Sequence, residues 1–130
     1  MSMRLLGIDY GSKKVGVALS DEGRQFAMPH IVLSNSKTLL SEITELARIN
    51  KIKEIVMGES KNFEGLPNAI YESSLKFKSD LESQGFTVYM EPEFMTSENA
   101  RKFQGKNEMI DASAAALILQ SFLDKRLVKG

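Results

Sequence analysis

The sequence predicts an α/β domain built on a mixed five-stranded sheet with helices on its faces. Three observations predict it. Three apolar runs near the start are joined by short polar turns. Two further short apolar runs alternate with stretches of helical period. The chain then closes with a long, alanine-rich stretch that reads as a helix able to approach a sheet closely. The order of elements is βββαβαβα, with right-handed crossovers from helix back to strand.

The first strand covers residues 5–9 and the second residues 14–19. Gly11, Ser12, Lys13 and Lys14 between them are turn chemistry. A polar turn at residues 20–23 leads to a third strand at 26–33. Pro29 removes a ladder donor there, which points to an edge position or an interrupted strand. Asn35 or Ser36 reads as a helix N-cap. Leu39, Leu40, Ile43, Leu46, Ala47 and Ile49 then recur at helical spacing through Asn50. Residues 54–58 form a fourth strand with a glycine stop, and residues 59–67 a loop. Pro67 opens a second helix to about Gln84, directing Ile70, Leu75, Phe77 and Leu81 toward the core, and Gly85 ends it. A fifth strand follows at 87–90. Thr96 or Ser97 opens a short helical turn through Phe103, and the last helix runs over 109–127. No repeat, linker or low-complexity tract divides residues 1–130, so a single domain is expected.

Composition narrows the function. Hydrophobic residues make up 42% of the 130, enough for one core. There is no cysteine, hence no disulfide framework and no thiolate ligand or nucleophile. No apolar run reaches the length of a membrane span, and none follows a basic start as a signal peptide would. A cytoplasmic protein without membrane contact is the expectation. Lys plus Arg and Asp plus Glu are 17 each, so formal net charge is zero. That balance counts against a broad electrostatic footprint for nucleic acid but is compatible with a local one.

Three carboxylates stand out. Asp9 ends the apolar first strand, where a buried carboxylate needs a cation or hydrogen-bond donors. Glu93 follows the fifth strand, presented past Pro92. Asp111 falls in the first turn of the last helix. Each has a plain alternative: Asp9 caps its turn, Glu93 is a solvated loop acid, and Asp111 is favoured by the helix N-terminus. If the three converge at one edge of the sheet, they repel one another unless a divalent cation lies among them. Hard oxygen donors select Mg²⁺ or Mn²⁺. Two such ions about 4 Å apart activate water and stabilise the leaving oxygen in phosphodiester hydrolysis. That chemistry requires neither Cys nor His, and this chain has a single histidine.

Lys13 and Lys14, in the turn beside Asp9, are placed to hold a phosphate backbone or form a solvated hairpin tip. Lys61, Arg101 and Lys102, with Lys106, extend a basic patch if they gather near the Glu93 loop. Taken singly, each reads as surface charge. Thr96 and Ser97 read as helix caps, His30 as a packed or surface imidazole, and the methionines as core filler.

The segment Gly7-Ile8-Asp9-Tyr10-Gly11-Ser12-Lys13-Lys14-Val15-Gly16-Val17-Ala18 resembles the first motif of the YqgF family, also called RuvX, of ribonuclease-H-fold proteins. Ile110-Asp111-Ala112-Ser113-Ala114-Ala115, followed by Ile118-Leu119-Gln120-Ser121-Phe122-Leu123, resembles its last. The resemblance covers nearly the whole chain. It implies a ribonuclease-H-like fold and a metal-dependent endonuclease acting on structured nucleic acid. Processing of the 5′ end of pre-16S rRNA comes foremost, with ribosomal precursor particles as partners. Alternatives are a Holliday junction resolvase acting on branched DNA, or a catalytically weakened nucleic-acid-binding module. The first hairpin also resembles the phosphate loop of actin and Hsp70-like ATPases, which need two such lobes. The family's metal ligands fall on Asp9, Glu93 and Asp111. Two positions depart from its pattern. Phe94 stands where the family has Arg, and Gly58-Glu59-Ser60 where it reads Gly-Leu-Pro. Losing that Arg and gaining Glu59 should weaken phosphate binding.

Overall fold

Two buried, largely apolar runs separated by a glycine turn give the central hairpin. β1 (Leu5–Tyr10) pairs antiparallel with β2 (Lys14–Ser20), Tyr10 opposite Val15 and Leu6 opposite Leu19. The turn is too tight for a side chain at Gly11, where a Cβ would stand 2.4 Å from the Lys14 carbonyl oxygen. The computed structural model describes residues 4–59, 69–92 and 109–129. β3 (Ala27–Ser34) pairs antiparallel with β2 and forms the sheet edge, as Pro29 predicts. Pro29 lies opposite Ala18 where the register shifts between Val17 and Ala18, so the missing N–H falls at an irregularity.

Phe26, expected in the third strand, lies instead in the turn before it. There Asp21 Oδ1 accepts the backbone N–H of Gln25 (2.8 Å) and of Phe26 (2.9 Å). The Phe26 and Gln25 amides hold the Asp21 carboxyl below its ordinary 3.8.

The sheet order is β3-β2-β1-β4-β5, with β4 (Glu54–Glu59) parallel to β1 and β5 (Thr87–Pro92) parallel to β4. α1 (Leu39–Ile49) connects β3 to β4, α2 (Ala69–Ser83) connects β4 to β5, and α3 (Met109–Lys129) closes the order. The predicted element order and sheet composition are therefore observed.

β1 is central, and its alternation builds a core on each face. Leu6 and Ile8, with Val15, Val17, Ile55 and Met57, pack with Ile43 and Ala47 of α1 and Phe77 and Leu81 of α2. Leu5, with Ala18 and Val56, packs with Ala115, Ile118, Leu119 and Leu123 of α3. Each fully buried Leu or Ile contributes about 1.5–3 kcal/mol, which makes the central strands the best-anchored part of the chain.

Two details of the helices differ from expectation. α1 starts at Leu39 with Thr38 as N-cap and no side-chain cap bond. Ser36 forms a lead-in turn, its carbonyl accepting the Leu39 N–H at 3.1 Å. In α2, Leu75 is 38% exposed whereas Ser74 is buried. Residues 74, 77 and 81 share one stripe at helical spacing, and residue 75 is rotated off it. Gly85 ends the turn after α2 with φ +99°, as predicted. Pro67 and the predicted helical turn at 96–103 lie outside the described residues.

Candidate active site

Asp9 is half-buried near the end of β1. Leu5 and Gly7 lie on the α3 face of the sheet, and the period of two puts Asp9 on that face as well. Its partner in β2 is Gly16. Continuing the β1–β4 register one step beyond Ile8 and Met57 sets Gly58 on its other side. Both strand positions directly opposite Asp9 are thus glycines, which leaves room there for an ion and its waters.

α3 crosses β1 at Gly7. A Cβ there would stand 2.9 Å from Leu119 Cβ and 3.1 Å from the Ala115 carbonyl oxygen. Only glycine and the small residues of α3 allow this approach. Toward the start of β1, Gln120 ties the helix to the β3 side of the sheet. Its Oε1 accepts the Ala27 N–H (2.8 Å), and its Nε2 donates to the Gln25 carbonyl (2.9 Å). Ala27 pairs with Ser20, whose Oγ accepts the Leu5 N–H at 2.8 Å. Position 111 is one helical turn before Ala115, and Asp9 is two strand residues beyond Gly7, so each lies about 6 Å along its own element from the crossing at Gly7. Glu93 lies outside the described residues.

A buried acid that sequence reading did not single out is Glu91, on the α3 face of β5 and 3% exposed. Its Oε2 accepts from Ser121 Oγ (2.9 Å) and Lys125 Nζ (2.7 Å). With Gln120 bonded toward β3, α3 is tied to both edges of the sheet. Glu91 is legible in the sequence only as one more acid in Glu91-Pro92-Glu93, because its partner lies 34 residues away.

Of the predicted basic residues, Lys13 and Lys14 are exposed at the turn next to Asp9. Lys61, Arg101, Lys102 and Lys106 lie outside the described residues, as do Thr96 and Ser97. His30 is exposed on β3. Asn35, predicted as a helix cap, instead holds the turn: its Nδ2 donates to the Gly11 carbonyl (2.7 Å) and its N–H to the Lys13 carbonyl (2.9 Å). On the opposite face at this end, a cavity of about 440 Å³ is lined by Tyr10, Asn35, Lys37 and Lys76, among others. Lys37 and Lys76 are cations that sequence reading passed over, because each stands alone in its own segment.

A family model described as RuvX: Holliday junction resolvase matches residues 3–125. The chain is 31% identical to a Rickettsia felis protein named "Putative pre-16S rRNA nuclease", with 92% of this chain and 85% of that protein covered. It is also 31% identical to a protein of the same name from Opitutus terrae, with 95% and 93% covered. Among solved structures it is similar to Thermus thermophilus RuvC in complex with a Holliday junction substrate. That match has a TM-score of 0.65 and 17% identity, over 96% of both chains. A Fowlpox virus resolvase in complex with Holliday junction DNA aligns with a TM-score of 0.61 and 9% identity, over 96% of this chain and 99% of that one. At these identities the solved structures bear on the fold, which is that of the RuvC-like resolvases.

Proposed function

The chain belongs to the RuvX family, and from that premise we propose that it is a divalent-metal-dependent endonuclease that hydrolyses phosphodiester bonds in structured nucleic acid, with the 5′ end of pre-16S rRNA as substrate. Asp9, Glu93 and Asp111 hold Mg²⁺ or Mn²⁺. Lys13, Lys14, Lys61, Arg101 and Lys102 hold the phosphate backbone. The observation that supports this reading is the close approach of α3 to Gly7, two residues before Asp9 in β1, at Ala115, one helical turn after position 111. The glycines beside Asp9 favour cation binding over a simple turn cap.

Bound divalent ions supply an activated water and offset charge on the leaving oxygen. The residues of the chain do the rest: the carboxylates fix the ions, and the lysines of the first turn orient the strand by its phosphates. The curated relatives named as pre-16S rRNA nucleases favour the RNA substrate, whereas the description of the family model favours the junction, so the test compares the two.

The test is cleavage of a 5′-extended 16S rRNA precursor and of a four-way DNA junction, each in Mg²⁺ and in Mn²⁺. Asp9→Asn, Glu93→Gln and Asp111→Asn are each expected to abolish metal-dependent cleavage while thermal melting shows a folded protein. Full activity in the triple variant overturns the proposal. Cleavage of the junction but not the RNA overturns the substrate.

A further inference from the structure

The chain is formally neutral, yet its cations are not evenly spread. At the end of the sheet away from Asp9, a cleft of about 680 Å³ is lined by Arg4, Arg24, Arg48, Lys51 and Lys53, with Glu54 the carboxylate among the lining residues. Glu54 is already engaged, paired with Arg24 and accepting the Tyr89 hydroxyl at 2.9 Å. Arg48 pairs with Glu45. The side chains of Lys51 and Lys53 make no ion pair or hydrogen bond among the described residues.

Helix capping does not account for this surplus. The end of α1 faces the cleft, but its carbonyls are met from the backbone and from Asn50. Ile52 N–H donates to Ala47 O (2.7 Å), Lys51 N–H to Arg48 O (3.1 Å), and Asn50 Nδ2 to Leu46 O (2.9 Å). The non-glycine residues described with left-handed backbone are Arg24 (φ 58°), in the turn after β2, and Lys51 (φ 57°), at the position that ends α1. Glycine or asparagine takes that conformation at lower cost. Both positions are cations, and both line this cleft. The remaining wall is buried Ile52 and half-buried Phe86, with Thr44 and Gln84.

We propose that this cleft is a second ligand site, which takes a nucleoside phosphate with its base against Phe86 and its phosphate on Lys51 and Lys53. An aromatic wall beside uncompensated cations suits a flat ring carrying an anion. The volume lies in the range of small-ligand pockets. The site stands apart from Asp9 and does not depend on the nuclease reading. Its nucleoside phosphate is either a free mononucleotide or one unit of a strand.

Calorimetry on the full chain tests it with AMP, inorganic phosphate and a 5′-phosphorylated hexanucleotide. AMP and the hexanucleotide are expected to bind saturably. The double variant Lys51→Gly, Lys53→Gln should bind roughly tenfold or more weakly. Its melting temperature should stay close to that of the parent, because glycine is at home in the left-handed position. Asp9→Asn should leave the binding unchanged. A hexanucleotide that binds about tenfold tighter than AMP, with the excess lost in Lys51→Gly, Lys53→Gln, identifies a strand as the source, and equal affinity identifies the free nucleotide. The proposal is overturned if neither ligand binds, if the double variant binds as the parent does, if Asp9→Asn abolishes binding, or if inorganic phosphate binds as tightly as AMP.

Discussion

Gly7 of β1 lies so close beneath Leu119 of α3 that a Cβ at position 7 would stand 2.9 Å from the Leu119 Cβ. Strand and helix meet there with almost no side chain between them. Gly7→Ala forces α3 away from the sheet, and such overpacking costs about 1–3 kcal/mol. The same shift displaces the helix that carries Asp111. Misplacement of about 1 Å can cost on the order of 10² in rate. Gly7→Ala is therefore expected to lower both the urea midpoint and cleavage, with activity falling further than stability explains. Wild-type activity in a stable Gly7→Ala protein would count against α3 as the positioning element.

Glu91 and Lys125 tie the far end of α3 to β5. Lys125→Met leaves the 3%-exposed Glu91 with the Ser121 hydroxyl as its remaining donor among the described residues. Leaving a buried acceptor short of donors costs about 1–3 kcal/mol. Glu91→Gln keeps an acceptor for Ser121 and should cost less. Urea denaturation of both single variants and the double gives the coupling energy, and a coupling of zero would remove this tie from the account.

Asn35 holds the turn that bears Lys13 and Lys14 through its 2.7 Å bond to the Gly11 carbonyl. Asn35→Ala loses one partly buried hydrogen bond, about 1 kcal/mol. The lysines then sample more positions, so KM for nucleic acid should rise while kcat changes little. The measurement is steady-state kinetics over a substrate titration. A fall in kcat alone would mean that the turn serves the carboxylate rather than the phosphates.

Asp21 gives the fold an acid-sensitive corner. The amides of Phe26 and Gln25 pull its carboxyl below the ordinary 3.8. The folded pKa is thus lower than the unfolded one. Its contribution to stability is present in full above the unfolded value and is lost as pH falls through the folded value. Melting temperature should drop as pH falls below the ordinary carboxylate value, and Asp21→Asn, whose amide oxygen still accepts both N–H groups, should drop less over the same range. Equal drops in the two proteins would assign the acid sensitivity elsewhere.

Much of this was legible before any coordinates. Apolar runs broken by turn residues marked β1 and β2, Pro29 marked β3 as an edge or interrupted strand, and Gly11 with two lysines marked the turn beside Asp9. These features are local: each depends on backbone sterics and on neighbours a few residues away. Periodicity could not say which stripe of α2 found a partner, and there Ser74 rather than Leu75 went inside.

What the sequence by itself determined is the set of elements, their order and the candidate acid at the end of the first strand. Only the tertiary structure decided that α3 rests on Gly7, that Glu91 is buried against Lys125, and that Arg24 and Lys51 share one cleft. The reason is physical. Strand and helix period follow from bonds along the chain, whereas burial and charge pairing arise between residues dozens of positions apart, whose meeting depends on how every layer packs.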